Sequence, residues 1–170
     1  MKGIGSHETP HHGVTNVWLT PKFVIDALGP FDLDPCAAPE PRPWPTAKRH
    51  IVKAENGLKQ PWGGFVFCNP PYGPESGDWV EKLASHGNGI ALVFARTETK
   101  WFQAVVCRAS LLFFPAGRFS FCRPDGTDGN SNSGAPSVFL AFGDEAARRL
   151  EKAAMPGFFA KPYGLLEGLV

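Results

Sequence analysis

The 170-residue sequence has little net charge: 17 Lys and Arg stand against 16 Asp and Glu, leaving a formal +1. A global electrostatic attraction to nucleic acid is therefore excluded, and any phosphate contact must be local. No apolar run approaches the roughly 20 residues that span a bilayer, and the N-terminus lacks the apolar core of a secretory signal. We expect no membrane partner and a cytoplasmic location. Cysteine is sparse, and Cys36, Cys68, Cys107 and Cys122 show no CxxC spacing. That argues against a zinc ribbon and for reduced, buried thiols; no metal site is expected. Repeats are absent too. The length and the 43% hydrophobic content suit one domain with a real core. Residues 1–14, with His7, His11 and His12 but few apolar side chains, read as a mobile arm. Residues 15–170 read as a single domain.

What the sequence does have is one stretch that organises the rest, Phe65-Val66-Phe67-Cys68-Asn69-Pro70-Pro71-Tyr72-Gly73. It reads as a buried strand stopping at a rigid corner. Each proline fixes its own φ and pushes the preceding residue into extended conformation. The Asn69 side-chain oxygen and the Pro70 carbonyl become a stiff pair of acceptors, with Tyr72 beside them as a stacking surface. Two acceptors holding the hydrogens of an aromatic amine localise its lone pair for attack on a methyl donor. A base extruded from a duplex can stack on an aromatic side chain. These residues resemble the Asn-Pro-Pro-Tyr motif of S-adenosylmethionine-dependent amino-methyltransferases. A strand followed by a proline-rich turn accounts for the same letters without chemistry.

The remaining elements alternate. Trp18-Leu19-Thr20-Pro21 opens a first helix, with Thr20 as N-cap, Phe23, Ala27 and Leu28 facing inward and Gly29 ending it. Phe31-Asp32-Leu33-Asp34-Pro35 reads as a short strand, and its Asp34-Pro35 falls at a strand end, where ligands bind in open parallel sheets. Lys48, Arg49, His50 and Lys53 follow a proline-rich loop and form the densest basic patch, a phosphate contact or a solvated face. Asp78 and Glu81 suggest a capping box for a helix at 79–86 ended by Gly87. Residues 89–95 form a continuous apolar run, hence a strand buried on both faces. Thr97 is a plausible cap for a helix reaching Arg108. Strands follow at 111–114, 117–121 and 136–142, a flexible loop at 124–134, and a terminal helix at 144–154. An apolar tail (Phe158, Phe159, Leu165, Leu166) packs back. The alternation predicts a three-layer α/β sandwich with a mostly parallel sheet.

In order along the chain, Trp18-Leu19-Thr20-Pro21, Phe31-Asp32-Leu33-Asp34-Pro35, Asn56-Gly57-Leu58, Asn69-Pro70-Pro71-Tyr72-Gly73, residues 95–102, 117–121 and 135–137 resemble the phage-type, Dam-like DNA N6-adenine methyltransferases. The resemblance implies a class I, Rossmann-like methyltransferase fold whose seven-stranded sheet carries one antiparallel strand near its edge. It implies S-adenosylmethionine as methyl donor, adenine N6 in DNA as acceptor, and a bacterial or prophage setting. Asn69, Pro70, Pro71 and Tyr72 would form the target-amine pocket. Trp18, Thr20, Pro21, Asp34, Pro35, Asn56, Gly57 and Asn69 would meet the cofactor. Lys48, Arg49, Arg96, Lys100 and Arg118 would meet nucleic acid. The chain departs from larger relatives in lacking a Gly-x-Gly after Asp34, in carrying Asn56 where an aspartate is frequent, and in having no separate target-recognition domain. Loops at 39–53 and 124–134 would then carry specificity, in a monomer or weak dimer. Two alternatives stay open: the same fold acting on RNA adenine, cytosine N4 or protein glutamine, and a nucleic-acid-binding module that has lost catalysis.

Overall fold

A computed structural model describes residues 17–163. The arm at 1–14, with its histidines, and Leu165 and Leu166 lie outside the described residues. The helices are α1 (Lys22–Leu28), α2 (Ser76–His86), α3 (Lys100–Val106) and α4 (Asp144–Lys152). The strands are β1 (Leu33–Ala37), β2 (Arg49–Val52), β3 (Val66–Cys68), β4 (Gly89–Phe94), β5 (Leu111–Pro115), β6 (Ser120–Cys122), β7 (Asp128–Asn132), β8 (Ser137–Phe142) and β9 (Gly157–Ala160). Seven of them form one sheet in the order β2-β1-β3-β4-β8-β5-β9, and β6 and β7 pair separately.

The period-2 alternation of the strands builds two cores. On one face Leu33, Val66, Cys68, Ala91, Val93, Val138 and Leu140 pack against Trp79, Val80 and Leu83 of α2 and Phe102 and Val105 of α3. On the other, Phe67, Ile90, Leu92, Phe113, Phe139 and Ala141 pack against Val24, Ile25 and Leu28 of α1 and Ala146 and Leu150 of α4. Phe67, Phe113 and Phe139 are almost fully buried, and each contributes about 1.5–3 kcal/mol through burial. This is the expected three-layer α/β sandwich, with a mostly parallel sheet between two layers of helices. Each face is closed by two helices, in keeping with the almost wholly apolar β3, β4 and β8.

Five strands run in one direction. Two run against it, where one was expected: β8 lies antiparallel between β4 and β5, and β9 pairs antiparallel with β5 at the edge. The apolar tail thus packs back as a strand, Phe158 on Phe114 and Phe159 on Phe113, with ring centroids 4.9 Å apart in both pairs.

Other differences trace to side chains that found better partners. Thr20 does not cap α1; the cap position is Pro21, and Val24, Ile25 and Leu28 face inward while Phe23 is 56% exposed. Asp78 does not start α2, which begins two residues earlier. Its Ser76 hydroxyl donates to the Pro71 carbonyl (2.8 Å) and accepts from the Gly73 N–H (3.1 Å). Glu81, freed from capping, pairs with Arg108 at 2.5 Å. The third helix starts at Lys100 rather than near Thr97, with the Thr99 hydroxyl donating to the Arg96 carbonyl. The strand through Asp34 continues to Ala37 instead of stopping at Pro35. Residues 124–134 are not a loose loop: β7 pairs with β6 across a turn in which Asp125 accepts from the Thr127 N–H at 2.9 Å. Asp, Gly and Thr close a hairpin tip there.

Candidate active site

The Asn-Pro-Pro-Tyr corner leaves the carboxyl end of β3, beside the Asp34-Pro35-Cys36 segment of β1. Parallel pairing of β1 with β3 and of β3 with β4 brings these strand ends to one edge of the sheet. Three groups hold Asn69. Its Nδ2 donates to Thr20 Oγ1 at 3.0 Å, the Tyr72 hydroxyl donates to its Oδ1 at 3.2 Å, and the Cys36 thiol donates to its backbone carbonyl at 3.2 Å. Ser76 pins the corner from the far side through Pro71. The Tyr72 ring lies flat on Phe94, with centroids 4.0 Å apart and planes 9° apart, and Phe121 meets it edge-on. Burial pushes the Tyr72 hydroxyl above its ordinary pKa, with the Cys36 thiol adding to the shift. It stays protonated at neutral pH and acts as a donor.

Two cavities meet at this corner. One is a narrow cleft of about 40 Å³ walled by Trp18, Thr20, Asp34, Cys36, Trp44 and Asn69. At its floor the buried Asp34 carboxylate accepts from the Thr46 hydroxyl (2.5 Å) and the Cys36 N–H (3.1 Å). Burial raises the Asp34 pKa to about 6, against the lowering effect of those two hydrogen bonds. Nearby, the Arg42 guanidinium is held on the Ala38 carbonyl and on Glu40 at 2.7 Å. Gly57 packs so closely on β1 that a Cβ there would lie 2.0 Å from the carbonyl oxygen of Pro35, the residue after Asp34. The other cavity, about 410 Å³, lies beyond Tyr72 and is lined by Phe94, Arg96, Glu98, Thr99 and Trp101. Its volume falls within the usual range for small-molecule sites.

The Asp34 environment gives a pH prediction. The folded, ligand-free protein holds this proton more tightly than the unfolded chain does. The group's contribution is complete below about pH 4 and is lost as pH rises to about 6, a change of about 2–3 kcal/mol. Melting curves of the wild type and Asp34→Asn between pH 4 and 6 should diverge in slope, with the variant flatter. Parallel slopes would contradict a buried, protonatable Asp34.

A sequence profile of the family described as DNA N-6-adenine-methyltransferase (Dam) matches residues 7–152. The chain belongs to that family. It is an adenine-specific DNA methyltransferase, and DNA is its substrate. No curated protein and no solved structure matches it. Among the described residues, no helix is long and apolar enough to cross a membrane, and no group of His, Cys, Asp or Glu could hold a metal ion.

Trp18 and Thr20, Asp34, and Asn69, from three separate parts of the sequence, wall one cleft; Gly57 packs against Pro35, which follows Asp34, and Pro21 is buried at the start of α1. Asn56, in contrast, is exposed in a left-handed turn at φ 53°. Arg96 joins Tyr72 at the larger cavity, and exposed Lys100 is flanked by its wall residues Thr99 and Trp101. Lys48 and Arg49 do not join that group. Arg49 begins β2, level with Leu33 at the amino end of β1, and Lys48 just before it pairs with Asp32 at 2.8 Å. Arg118 is exposed and donates to the Ser133 carbonyl at 3.2 Å, and its neighbour Phe119 packs edge-on against Phe139.

Sequence reasoning missed Arg42, Trp44, Thr46 and Phe94. The first three sit in a proline-rich loop with no periodicity to mark a face. Phe94 offered a signal: it ends the apolar run of β4 on a strand neighbouring β3, so its ring reaches the same sheet edge as Tyr72.

Proposed function

We propose that the enzyme takes its methyl group from S-adenosylmethionine held in the cleft by Asp34 and the tryptophan walls, and passes it to an extruded adenine held at Asn69-Pro70-Pro71-Tyr72. The observation that carries this reading is the position of Asn69, whose side chain borders the narrow cleft and contacts Tyr72 at the larger cavity. The donor fits the cleft chemically: a buried carboxylate at the floor suits a cationic ligand, and the walls are aromatic. The narrow cleft requires the segment around Trp18 and the 39–46 loop to part on binding. The donor supplies a methyl group on a sulfonium that leaves as a neutral thioether.

The protein's part is positioning. Asn69 Oδ1 and the Pro70 carbonyl accept the two N6 hydrogens, which localises the nitrogen lone pair and aims it at the methyl carbon. The target amine takes over the acceptor now held by the Tyr72 hydroxyl, and the Tyr72 ring stacks on the base. A new N–C bond forms as the C–S bond breaks, and the amine then releases one proton to solvent. No strong base is required, which agrees with a corner built from an amide, a phenol and carbonyls. Arg96 and Lys100 lie on the side where the extruded nucleotide's phosphates would pass.

Calorimetric titration with S-adenosylmethionine tests the donor site, and affinity should rise as pH passes about 6 and Asp34 ionises. Absence of binding at pH 7.5 would remove the donor assignment. For Tyr72→Ala, donor affinity should stay within about threefold while methyl transfer falls by roughly 10²-fold or more, reflecting lost base stacking. Wild-type transfer by that variant would place the base elsewhere.

A further inference from the structure

Thr20 borders the cleft assigned to the donor, yet its hydroxyl is engaged within the protein: the residue is buried, and its Oγ1 accepts from Asn69 Nδ2 at 3.0 Å. An asparagine amide has two orientations that differ little in shape and oppose each other in hydrogen bonding. In one, Oδ1 faces the target amine as an acceptor. In the other, Nδ2 faces it, donor against donor. From the geometry we infer that Thr20 is the positioning residue that holds the Asn69 amide in its productive orientation. The inference rests on the proposed role of Asn69.

Both ends of the amide are engaged. The Tyr72 hydroxyl donates to Oδ1, so Nδ2 needs an acceptor on the opposite side, and Thr20 Oγ1 provides it. When the amine displaces the Tyr72 hydroxyl, Thr20 is the contact that still fixes the amide. Thr20 is itself placed rigidly. Leu19 exchanges two backbone hydrogen bonds with Cys122 of β6, at 2.8 and 2.9 Å. Pro21 restricts Thr20 to extended conformation and leads directly into α1. The Cys36 thiol on the Asn69 carbonyl holds the backbone of the same residue, so side chain and main chain are fixed from two different elements.

Thr20→Val keeps the shape and removes the acceptor. For that variant kcat should fall roughly 10- to 100-fold, as for other residues that orient a reacting group, with the Kd for S-adenosylmethionine within about threefold of wild type. Thr20→Ser should restore most of the rate. In ligand-free, 15N-labelled protein, the Asn69 side-chain amide resonance, assigned by its loss in Asn69→Ala, should exchange slowly with water in wild type and Thr20→Ser and faster in Thr20→Val. A Thr20→Val enzyme with unchanged kcat, or one whose loss is entirely in donor affinity, overturns the inference. So does an Asn69 amide indifferent to Thr20→Val, whatever the activity. Failure of the wild type to methylate adenine would instead remove the proposed role of Asn69, and the resonance would still decide whether Thr20 orients the amide.

Discussion

Asn69→Ala should lower methyl transfer by roughly 10²- to 10³-fold, the scale found when one group aimed at the reacting centre is removed. The fold should survive. Asn69 is only half-buried and packs in neither core, and the loss leaves Thr20 Oγ1 without its donor, a cost of about 1–3 kcal/mol. Donor affinity should change little, because Asp34, Thr46 and the tryptophan walls remain. The separation between near-normal binding and collapsed turnover is the signature of a group that acts on the acceptor amine. Binding and turnover lost in parallel would instead make Asn69 a donor ligand alone. Steady-state kinetics beside calorimetry separates the two.

The second large effect lies where Gly57 packs on β1. Gly57 is buried, and a Cβ at that position would meet the Pro35 carbonyl oxygen at 2.0 Å and the Trp79 ring at 3.0 Å. Pro35 belongs to β1 and is backed by the sheet, so the clash cannot be relieved by turning a flexible side chain. Gly57→Ala should destabilise the protein by about 1–3 kcal/mol, lowering the melting temperature by roughly 2–12 °C for a chain of this size. It should also weaken donor binding more than tenfold by displacing Pro35 and with it Asp34. Scanning calorimetry and donor titration read the two effects. A variant as stable as wild type would mean that the turn at 53–59 can move off β1 without cost.

The architecture was legible where one physical cause dominated. The run Gly89–Phe94 is apolar on both faces and became a central strand; Asn69-Pro70-Pro71-Tyr72 carried its geometry in the prolines themselves and formed the corner at a strand end. Gly87 ended α2 in the left-handed conformation, at φ 74°. Local capping rules failed where a hydroxyl or carboxylate had a longer-range partner. Thr20 turned to Asn69, 49 residues away, and Glu81 turned to Arg108, 27 residues away. Sequence spacing says nothing about such choices. The apolar pattern hides the direction of β8, since a strand buried on both faces reads the same whichever way it runs; an antiparallel strand was expected only from the family resemblance. At the candidate site, the sheet rule accounts for Asp34 and Asn69 lying together, since both follow from neighbouring strands. The basic residues divide: Lys48 and Arg49, in the densest basic patch of the sequence, fall at the amino end of the sheet, whereas Arg96 follows β4 and borders the larger cavity.

The most direct test is nucleoside mass spectrometry of unmethylated DNA incubated with S-adenosylmethionine and either the wild type or Asn69→Ala. The wild type should yield N6-methyl-2′-deoxyadenosine, with the product reduced to near background in the variant. Methyl groups on cytosine N4 instead, or equal N6-methyladenine from both proteins, would contradict the assignment of the Asn-Pro-Pro-Tyr corner as the place where the adenine amine is held.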